Sequence, residues 1–295
     1  MNYYTEIKNI IIDNEITKKV KDYSKNKSDL NTYYEVGRLL SEAGKHYGEG
    51  IIKEYSKKLT NELGKGYTIT RLKYFRRFYN VLSKGPTLSD ELTFSHYCEV
   101  IWFDENKMNY YISLSISQRL SIRELRNRIK NNEYERLPIK TKKKIVKKED
   151  NKVTDLIKNP ILISNKDNYE IISEKVLQKL ILEDMSNFLK ELGEGFCYIS
   201  NEYKIKIGDR YNYIDLLLYN INYNCYVVIE LKVTELKKEH IGQIQTYMAY
   251  IDKNLKRIDQ NKTIGIIITR RDNKYLIEYC SDKRIISREY KVINT

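Results

Sequence analysis

The sequence lacks the features that mark several protein classes. Its 295 residues include only three prolines and one tryptophan, and no stretch approaches the ~20 consecutive apolar residues that span a bilayer. The first residues contain one short apolar run, Ile10 to Ile12, which Asp13 interrupts, so no signal peptide is predicted. We therefore expect a cytoplasmic protein without a membrane-spanning segment.

The cysteines are few and scattered. They show no C-x-x-C spacing, which excludes the usual zinc and disulfide frameworks and predicts free thiols in a reducing compartment: Cys98, Cys197, Cys225 and Cys280.

Positive charge is the clearest excess in the composition. The chain has 53 lysines and arginines against 40 acidic residues, which gives a net charge of +13. A strong positive field attracts polyanions, so nucleic acid is the predicted partner. A lysine-rich proteome would produce the same bias, so charge alone does not decide the function.

Local patterns divide the chain into three parts. Residues 1–137 have mainly helical periodicity. Residues 138–168 contain seven lysines between Lys140 and Lys152 and show no sustained period, which predicts a basic linker. Residues 169–295 alternate between helix and strand patterns. The predicted fold is therefore α+β, with a helical N-terminal domain joined by the linker to a C-terminal α/β domain that has a central mixed sheet.

A basic, aromatic helix follows a turn in the N-terminal part. Two glycines interrupt a helical pattern, and Thr68 or Thr70 is suited to cap the next helix. Leu72, Phe75 and Phe78 recur on that helix at a spacing that predicts burial. Its basic side chains are candidate DNA contacts of a helix-turn-helix-like arrangement: Arg71, Lys73, Arg76 and Arg77. A solvated helix face in a bundle would show the same pattern, so both interpretations stay open.

The C-terminal part reads as α-β-β-β-α-β-β. One helix is predicted from about Tyr169 to Leu192 and a second from about Leu236 to Leu255. Three strand patterns separate the helices and two follow, the last being "YLIEYCS". This order predicts a mixed sheet flanked by helices.

Three charged residues stand inside the most apolar strands. Asp215 lies in "YIDLLLYN", and Glu230 and Lys232 lie in "CYVVIELKV". Glu230 and Lys232 share a face because side chains alternate along a strand. A turn between the strands can bring Asp215 beside Glu230. Two close carboxylates repel each other unless a cation lies between them, and carboxylates with water suit Mg²⁺. The pattern therefore predicts a metal site, with Lys232 placed to stabilise a phosphate or position a water.

The Glu-x-Lys pattern by itself is weak support, since it occurs six times in the chain. The copy at Glu230 differs from the others because it lies inside a strongly apolar strand that follows another strand carrying an acid. A buried ion pair between Lys232 and one carboxylate would explain the same residues without catalysis, and that alternative stays open.

The helix after these strands adds an amide and a phenol. Gln243 and Tyr247 are four residues apart and therefore lie on neighbouring parts of one helix face. Such groups can hydrogen-bond a phosphate or a water near a metal. A polar helix edge is the structural alternative.

Taken in order, these motifs resemble the PD-(D/E)XK nuclease superfamily. Asp215, Glu230-Leu231-Lys232 and Gln243-x-x-x-Tyr247 look like its metal-site motif and the extra motif of its RecB-like branch. "FLKELGEGFCYI", "VVIELKV" and "GQIQTYMAYID" resemble the C-terminal domain of the YhcG-like bacterial nucleases. "YYEVGRLLSE", "LTFSHYCEVI" and "LSIRELRNRI" resemble their helical N-terminal domain. The proline that names the superfamily is missing from "GDRYNYID".

The resemblance implies a restriction-endonuclease-like fold for the C-terminal domain and a chemistry for its site. Asp215 and Glu230 would bind Mg²⁺, with Mn²⁺ as a substitute, helped by the Leu231 backbone carbonyl. Lys232 would orient or activate the attacking water. Hydrolysis would leave a 5′-phosphate and a 3′-hydroxyl.

The same resemblance suggests supporting residues. Gln243 and Tyr247 would support the site or touch the DNA. An acid from the first helix of the domain often joins such a site. Glu174 is favoured here by the apolar spacing that follows it, with Glu183 and Asp184 as alternatives.

The predicted function is a metal-dependent DNA nuclease, acting as an endonuclease or an exonuclease. The rival is a non-catalytic DNA-binding or assembly module that keeps the nuclease fold. Homo-oligomer formation and partner proteins of a DNA defence or repair system stay open.

Overall fold

A computed structural model describes residues 2–20, 25–84, 88–147, 155 and 157–294. The chain forms two compact units, Met1–Tyr134 and Glu135–Thr295. Within the described residues, no helix is both long and apolar enough to cross a membrane.

The N-terminal unit is helical throughout its described part, as predicted. Its apolar side chains form two adjoining cores, one around Phe75 and one around Phe78. The helices are α1 (Tyr3–Val20), α2 (Lys25–Tyr47), α3 (Ile51–Leu63), α4 (Ile69–Leu82), α5 (Phe94–Val100), α6 (Glu105–Ser117) and α7 (Ile122–Lys130).

Helices α3 and α4 are the two helices predicted around the glycine turn. The Thr68 hydroxyl accepts a hydrogen bond from the Arg71 N–H and caps α4. The predicted apolar stripe of α4 is buried. Helix α2 packs closely against α4. A Cβ added at Gly37 of α2 would lie 2.1 Å from the Phe75 carbonyl oxygen of α4. Glycine is therefore required where these two helix backbones meet.

The C-terminal unit is a six-stranded mixed sheet with the order β1-β6-β5-β4-β3-β2. Strands β1, β6, β5 and β4 are mutually parallel, whereas β3 and β2 follow as antiparallel hairpins. The elements are α8 (Ile139–Lys147), β1 (Ile161–Ser164), α9 (Glu174–Glu183), α10 (Met185–Leu192), β2 (Phe196–Ile207), β3 (Arg210–Asn220), β4 (Cys225–Glu235), α11 (Lys238–Asn254), β5 (Ile264–Arg271), α12 (Lys274–Glu278) and β6 (Ile285–Ile293).

Both faces of the sheet are covered, which explains why its central strands are apolar at nearly every position. Helices α9 and α10 pack on one face, where Leu216 and Ile229 are buried. Helix α11 packs on the other face, over Val228 and Ile267. Charged side chains in β3 and β4 are therefore exceptions in a covered, apolar sheet, and they need polar partners.

The stretch predicted as a linker, 138–168, contains helix α8 and strand β1. Residues 148–154 and 156 of this stretch lie outside the described residues. Strand β1 pairs with β6 and is buried along its whole length, so it belongs to the sheet rather than to a connection. Four residues buried on both faces show no alternation, which is why the sequence pattern missed this strand.

Two further elements differ from the sequence prediction. The single helix expected from Tyr169 to Leu192 is divided at Asp184 into α9 and α10. The expected strand "YLIEYCS" is wrong, because helix α12 occupies its first residues and the last strand is β6. The apolar residues of α12 are few and partly exposed, so its short pattern could not separate helix from strand.

Candidate active site

The site begins where strands β3 and β4 separate. Their backbone pairing runs from Asn220↔Cys225 to Leu216↔Ile229. Beyond that pair, the Leu231 N–H donates to Asp215 Oδ2 at 2.7 Å. The Asp215 carboxylate thus occupies the position that a strand partner would fill, and it is held beside the β4 residues that carry the other charges.

Glu230 is the most deeply buried charged group of the site, with 2% exposure. Its Oε1 accepts a hydrogen bond from Lys232 Nζ at 2.7 Å. Its Oε2 is buried and has no hydrogen-bond partner among the described residues. A buried polar atom without a partner is costly, and most such atoms in folded proteins are satisfied. The free oxygen therefore suggests a missing ligand.

Glu174, at the start of α9, lies close to the same cluster. Its Oε2 is 3.8 Å from Lys232 Nζ, and its side chain is half exposed. The two alternatives from the sequence point elsewhere, since Glu183 pairs with Lys179 and Asp184 pairs with Lys166. Of the three acids considered, Glu174 is the one that the fold brings to the site.

Negative charge exceeds positive charge in this cluster. Burial raises the pKa of Glu230 to about 7, and the neighbouring Asp215 charge adds to the rise. Burial also raises the pKa of Asp215, despite the Leu231 N–H that stabilises its charged form. Burial lowers the pKa of Lys232, but the Glu230 hydrogen bond and the surrounding acids outweigh it and leave that pKa raised. A cation at this point would relieve the repulsion.

Helix α11 places the predicted amide and phenol beside the same charges. Gln243 Nε2 donates to the Tyr247 hydroxyl at 3.0 Å. Burial raises the pKa of Tyr247, and the charges of Glu230 and Asp215 add to that rise. The helix lies close to the sheet because Gly265 of β5 has no side chain, and a Cβ there would lie 2.5 Å from Met248 Sδ.

Two residues of the site were missed by the sequence analysis. Gln178 Nε2 donates to the Asp215 backbone carbonyl at 3.1 Å, and Gln178 lies one helical turn after Glu174 on α9. Glu202 lies across the β2–β3 hairpin from Asp215, and its charge contributes to the raised pKa of that acid. The helical spacing from Glu174 was a usable signal for Gln178, whereas Glu202 needed the hairpin register.

A cavity of about 500 Å³ opens at the end of strands β4 and β5. It is lined by Val233, Thr234, Glu235, Arg270 and Arg271, and so begins one residue beyond Lys232. Its two arginines give part of the wall a positive charge that suits a phosphate backbone.

The acids of the site can supply part of a metal-ligand set. Within the described residues, no group of three or more histidine, cysteine, aspartate or glutamate side chains lies close enough to hold a metal by itself. Mg²⁺ needs only one or two protein carboxylates, because it keeps several waters. Asp215 and Glu230, with the unsatisfied Glu230 Oε2, therefore fit that ion.

The basic residues of α4 are mostly engaged within their own unit. Arg76 forms a two-point ion pair with Glu49. Arg77 Nε donates to the Ile101 carbonyl at 3.1 Å, and Arg71 Nη2 donates to the Tyr33 hydroxyl at 3.2 Å. Lys73 is exposed. Both interpretations of this helix, as a DNA contact or as a bundle face, therefore stay open.

Comparison with known proteins agrees with the fold. Residues 154–293 match the YhcG PDDEXK nuclease domain, and residues 6–136 match the DUF1016 N-terminal domain. The C-terminal domain therefore has the restriction-endonuclease-like fold of the PD-(D/E)XK superfamily. The C-terminal part of the chain thus belongs to the YhcG PDDEXK nuclease domain family, and the N-terminal part belongs to the DUF1016 N-terminal domain family.

The chain is similar to a curated relative and to solved structures. The protein YhcG of Escherichia coli (strain K12), whose name marks it as a candidate nuclease, is 22% identical over 282 residues, covering 80% of this chain and 75% of its own. A repair endonuclease from Pyrococcus abyssi is 20% identical, with a TM-score of 0.29, covering 43% of this chain and 49% of its own. An EndoMS–dsDNA2 complex gives 20% identity and the same TM-score, covering 44% and 49%. The chain thus spans about half the length of these solved structures.

Proposed function

We propose that this chain is a metal-dependent DNA nuclease that hydrolyses phosphodiester bonds at the Asp215–Glu230–Lys232 cluster. The observation that carries the proposal is the buried, unsatisfied Glu230 Oε2 beside an Asp215 carboxylate fixed by the Leu231 N–H. Without a bound cation, these two acids destabilise the folded state when they are ionised. The raised pKa of each acid reflects this unfavourable environment for its charge.

In this proposal, Asp215, Glu230 and the Leu231 carbonyl hold Mg²⁺, or Mn²⁺ in its place. The bound ion would neutralise charge on the phosphate and favour ionised water. Glu174 would be an additional ligand of the ion, on the solvent-exposed side of the cluster.

The chain's own groups position the reactants. Lys232, which lies between Glu230 and Glu174, orients the attacking water or stabilises the phosphate charge. Gln243 and Tyr247, already hydrogen-bonded to each other, support Glu230 or contact the DNA. Water oxygen bonds to phosphorus as the bond to the 3′ oxygen breaks, which leaves a 5′-phosphate and a 3′-hydroxyl.

The choice of DNA as substrate rests on charge and on the family. The net charge of +13 favours a polyanion, and Arg270 and Arg271 line a cavity at the end of β4 and β5.

One observation supports the non-catalytic alternative. The ion pair between Lys232 and Glu230 is present, and a module that has lost its metal could retain it as a structural contact. The two proposals differ over Glu230 Oε2, which an ion-pair role leaves unsatisfied.

A divalent-ion titration of plasmid nicking separates these proposals. The full chain should nick supercoiled plasmid with Mg²⁺ or Mn²⁺ and stop when the ion is chelated. Glu230→Ala should be inactive under every condition. Nicking by Glu230→Ala at the wild-type rate would place the activity elsewhere, and no nicking by either protein would favour the non-catalytic module.

A further inference from the structure

The hairpin that carries Asp215 continues past the rest of the sheet. Strand β3 pairs with β4 only as far as Leu216, but its pairing with β2 continues to Arg210. The extension is therefore a two-stranded ribbon. Its inner face is anchored by Ile205 and Ile214, which are buried in the core beneath α11.

The outer face of this ribbon is basic and aromatic. Lys204 pairs with Tyr213 and Lys206 pairs with Tyr211. Directly opposed residues of an antiparallel pair share a face, so these four side chains lie together, opposite the buried isoleucines. We call them the ribbon face.

The ribbon face exposes aromatic rings to solvent. Tyr211 is 56% exposed and Tyr213 is 52% exposed. Lys204 Nζ lies 3.9 Å from the centre of the Tyr211 ring, and Lys206 Nζ lies 5.9 Å from it. Cation–π contacts of this kind hold the ring in place while leaving it available to another planar group.

The ribbon face starts next to the metal-site acid. Tyr213 and Tyr211 precede Asp215 by two and four residues on one strand. At about 3.4 Å per residue, their Cα atoms lie roughly 7 and 14 Å from that of Asp215. A stacked B-form strand advances only ~3.4 Å per nucleotide along its axis, about half the roughly 7 Å between the two tyrosines. One base per tyrosine therefore requires a strand that is more extended than a duplex strand. Such a strand, with a phosphate at Asp215, would have its next nucleotides within reach of Tyr213 and Tyr211.

We propose that the ribbon face binds an unpaired DNA strand adjacent to the phosphate that is cleaved. Tyr211 and Tyr213 stack on successive bases, and Lys204 and Lys206 turn toward the phosphates between them. Base–aromatic stacking needs bases that are not already stacked in a duplex, so the substrate class is DNA with a single-stranded segment at the cleavage point. This inference rests on the proposed nuclease function and specifies its substrate.

The test is a binding titration on the full chain without divalent ion, so that it does not depend on cleavage. The probe is a short fluorescent oligothymidylate, compared with a duplex of the same length. Tyr211→Ala combined with Tyr213→Ala should weaken single-strand affinity by about tenfold or more, the scale for losing one or two stacked bases. The matched Tyr→Phe pair should bind like wild type, because phenylalanine also stacks.

One further variant serves as a control, and another tests the lysines of the ribbon face. Tyr275 and Tyr279 are even more exposed but lie on and just after α12, so their double alanine variant should bind like wild type. Lys204→Gln combined with Lys206→Gln should flatten the salt dependence by roughly 0.7 log units per lost contact on a single strand.

The outcomes are distinct. Equal single-strand affinities for the Tyr211/Tyr213 and Tyr275/Tyr279 alanine pairs would overturn the ribbon-face proposal even if the protein cleaves DNA. Loss of affinity in the first pair alone would support it even if cleavage is absent, in which case only the nuclease proposal fails. If the first pair instead loses self-association in sedimentation and binds DNA normally, the face is a contact between copies and the proposal is wrong.

Discussion

Two buried glutamates, one in each unit, have the same exposure and different partners. Glu133 in the N-terminal unit and Glu230 in the C-terminal unit are both 2% exposed. Both Glu133 oxygens accept hydrogen bonds from Arg128, and one also accepts from the Tyr110 hydroxyl. Glu230 has one oxygen bonded to Lys232 and one with no partner within the described part of the chain.

This difference separates a structural carboxylate from a candidate ligand. A buried charge that serves the fold is paired and hydrogen-bonded, because any unmet oxygen costs free energy. Glu191, in the same unit as Glu230, follows the structural pattern, since it accepts from both ends of the Arg136 guanidinium and from the Leu162 N–H. Of the two buried glutamates described in the C-terminal unit, Glu230 is thus the one with an incomplete partner set.

The largest expected effect is at the two acids. Asp215→Asn and Glu230→Gln should each abolish divalent-ion binding and DNA cleavage while keeping the fold. Isothermal calorimetry with Mg²⁺ and a nicking assay measure the two losses. Glu133→Gln is the matched control, and should lower stability but leave both readouts intact. Full Mg²⁺ affinity in both site variants would place the metal elsewhere and remove the contrast between the two glutamates.

The largest expected effect on stability is at Arg136. Arg136→Met leaves Glu191 buried without its cation, which should cost about 3–5 kcal/mol in urea unfolding. Lys232→Met should cost less, because Glu230, with a pKa near 7, can take up a proton in place of its partner. Equal costs for the two variants would mean that both glutamates are structural.

The sequence predicted which residues meet at the site better than how they are held. The acids inside apolar strands and the four-residue spacing of Gln243 and Tyr247 predicted side chains that the fold does place close together. Periodicity is sufficient for this, because it fixes which face of a strand or helix a residue occupies. Their catalytic roles stay predictions.

Other features depended on pairing between distant segments, which local patterns do not record. The separation of β3 from β4, which lets the Asp215 carboxylate receive the Leu231 N–H, is such a feature. The position of Glu202 across the hairpin is another: Glu202 begins one of the six Glu-x-Lys copies, but only the register of β2 against β3 brings it near Asp215. Strand β1 is a third: its four buried residues show no alternation, and its partner is the last strand of the chain.

A variant at Lys232 distinguishes an effect on the cleavage rate from an effect on DNA affinity. Lys232→Ala should lower the cleavage rate by ~10²-fold or more, on the scale for losing one preorganised charge-stabilising group. Its effect on DNA affinity should be slight, because one contact among many is removed. Single-turnover cleavage and a filter-binding titration give the two numbers. An unchanged rate would make Lys232 a structural partner of Glu230, as Arg128 is of Glu133.

Helix α4 tests whether basic side chains of the N-terminal unit contact DNA. If α4 meets DNA phosphates, neutralising Arg71, Lys73, Arg76 and Arg77 together should weaken duplex binding. It should also flatten its salt dependence by roughly 0.9 log units per lost contact. Glutamine is the suitable replacement, since it removes the charge and keeps part of the aliphatic stem. It also removes the guanidinium contacts of Arg71 with the Tyr33 ring and of Arg77 with the Trp102 ring.

The control for that variant lies on the neighbouring helix α3. Lys53→Gln combined with Lys57→Gln removes two exposed charges from the same unit without touching α4. A gel-shift salt series on all three proteins gives the slopes. Parallel slopes with equal affinities would leave α4 as a face of the helical bundle.

The smallest expected effect is a pH dependence that the Glu230 environment produces in chelator-treated protein. The pKa of Glu230 is raised to about 7 in the folded state from an unfolded value near 4.3. The folded chain therefore holds a proton that the unfolded chain has lost, and this contribution to stability is full below about pH 4 and lost as the pH rises through 7. Asp215 shifts in the same direction.

Wild-type protein should accordingly lose stability relative to Glu230→Gln between pH 5 and pH 8, by roughly 2–3 kcal/mol. Added Mg²⁺ should restore wild type at pH 8 and leave the variant unchanged, because the ion binds the ionised pair. Scanning calorimetry at the two pH values, with and without Mg²⁺, measures all four states. Identical pH profiles for the two proteins would mean that Glu230 is as well satisfied as Glu133, and the contrast between the two units would be lost.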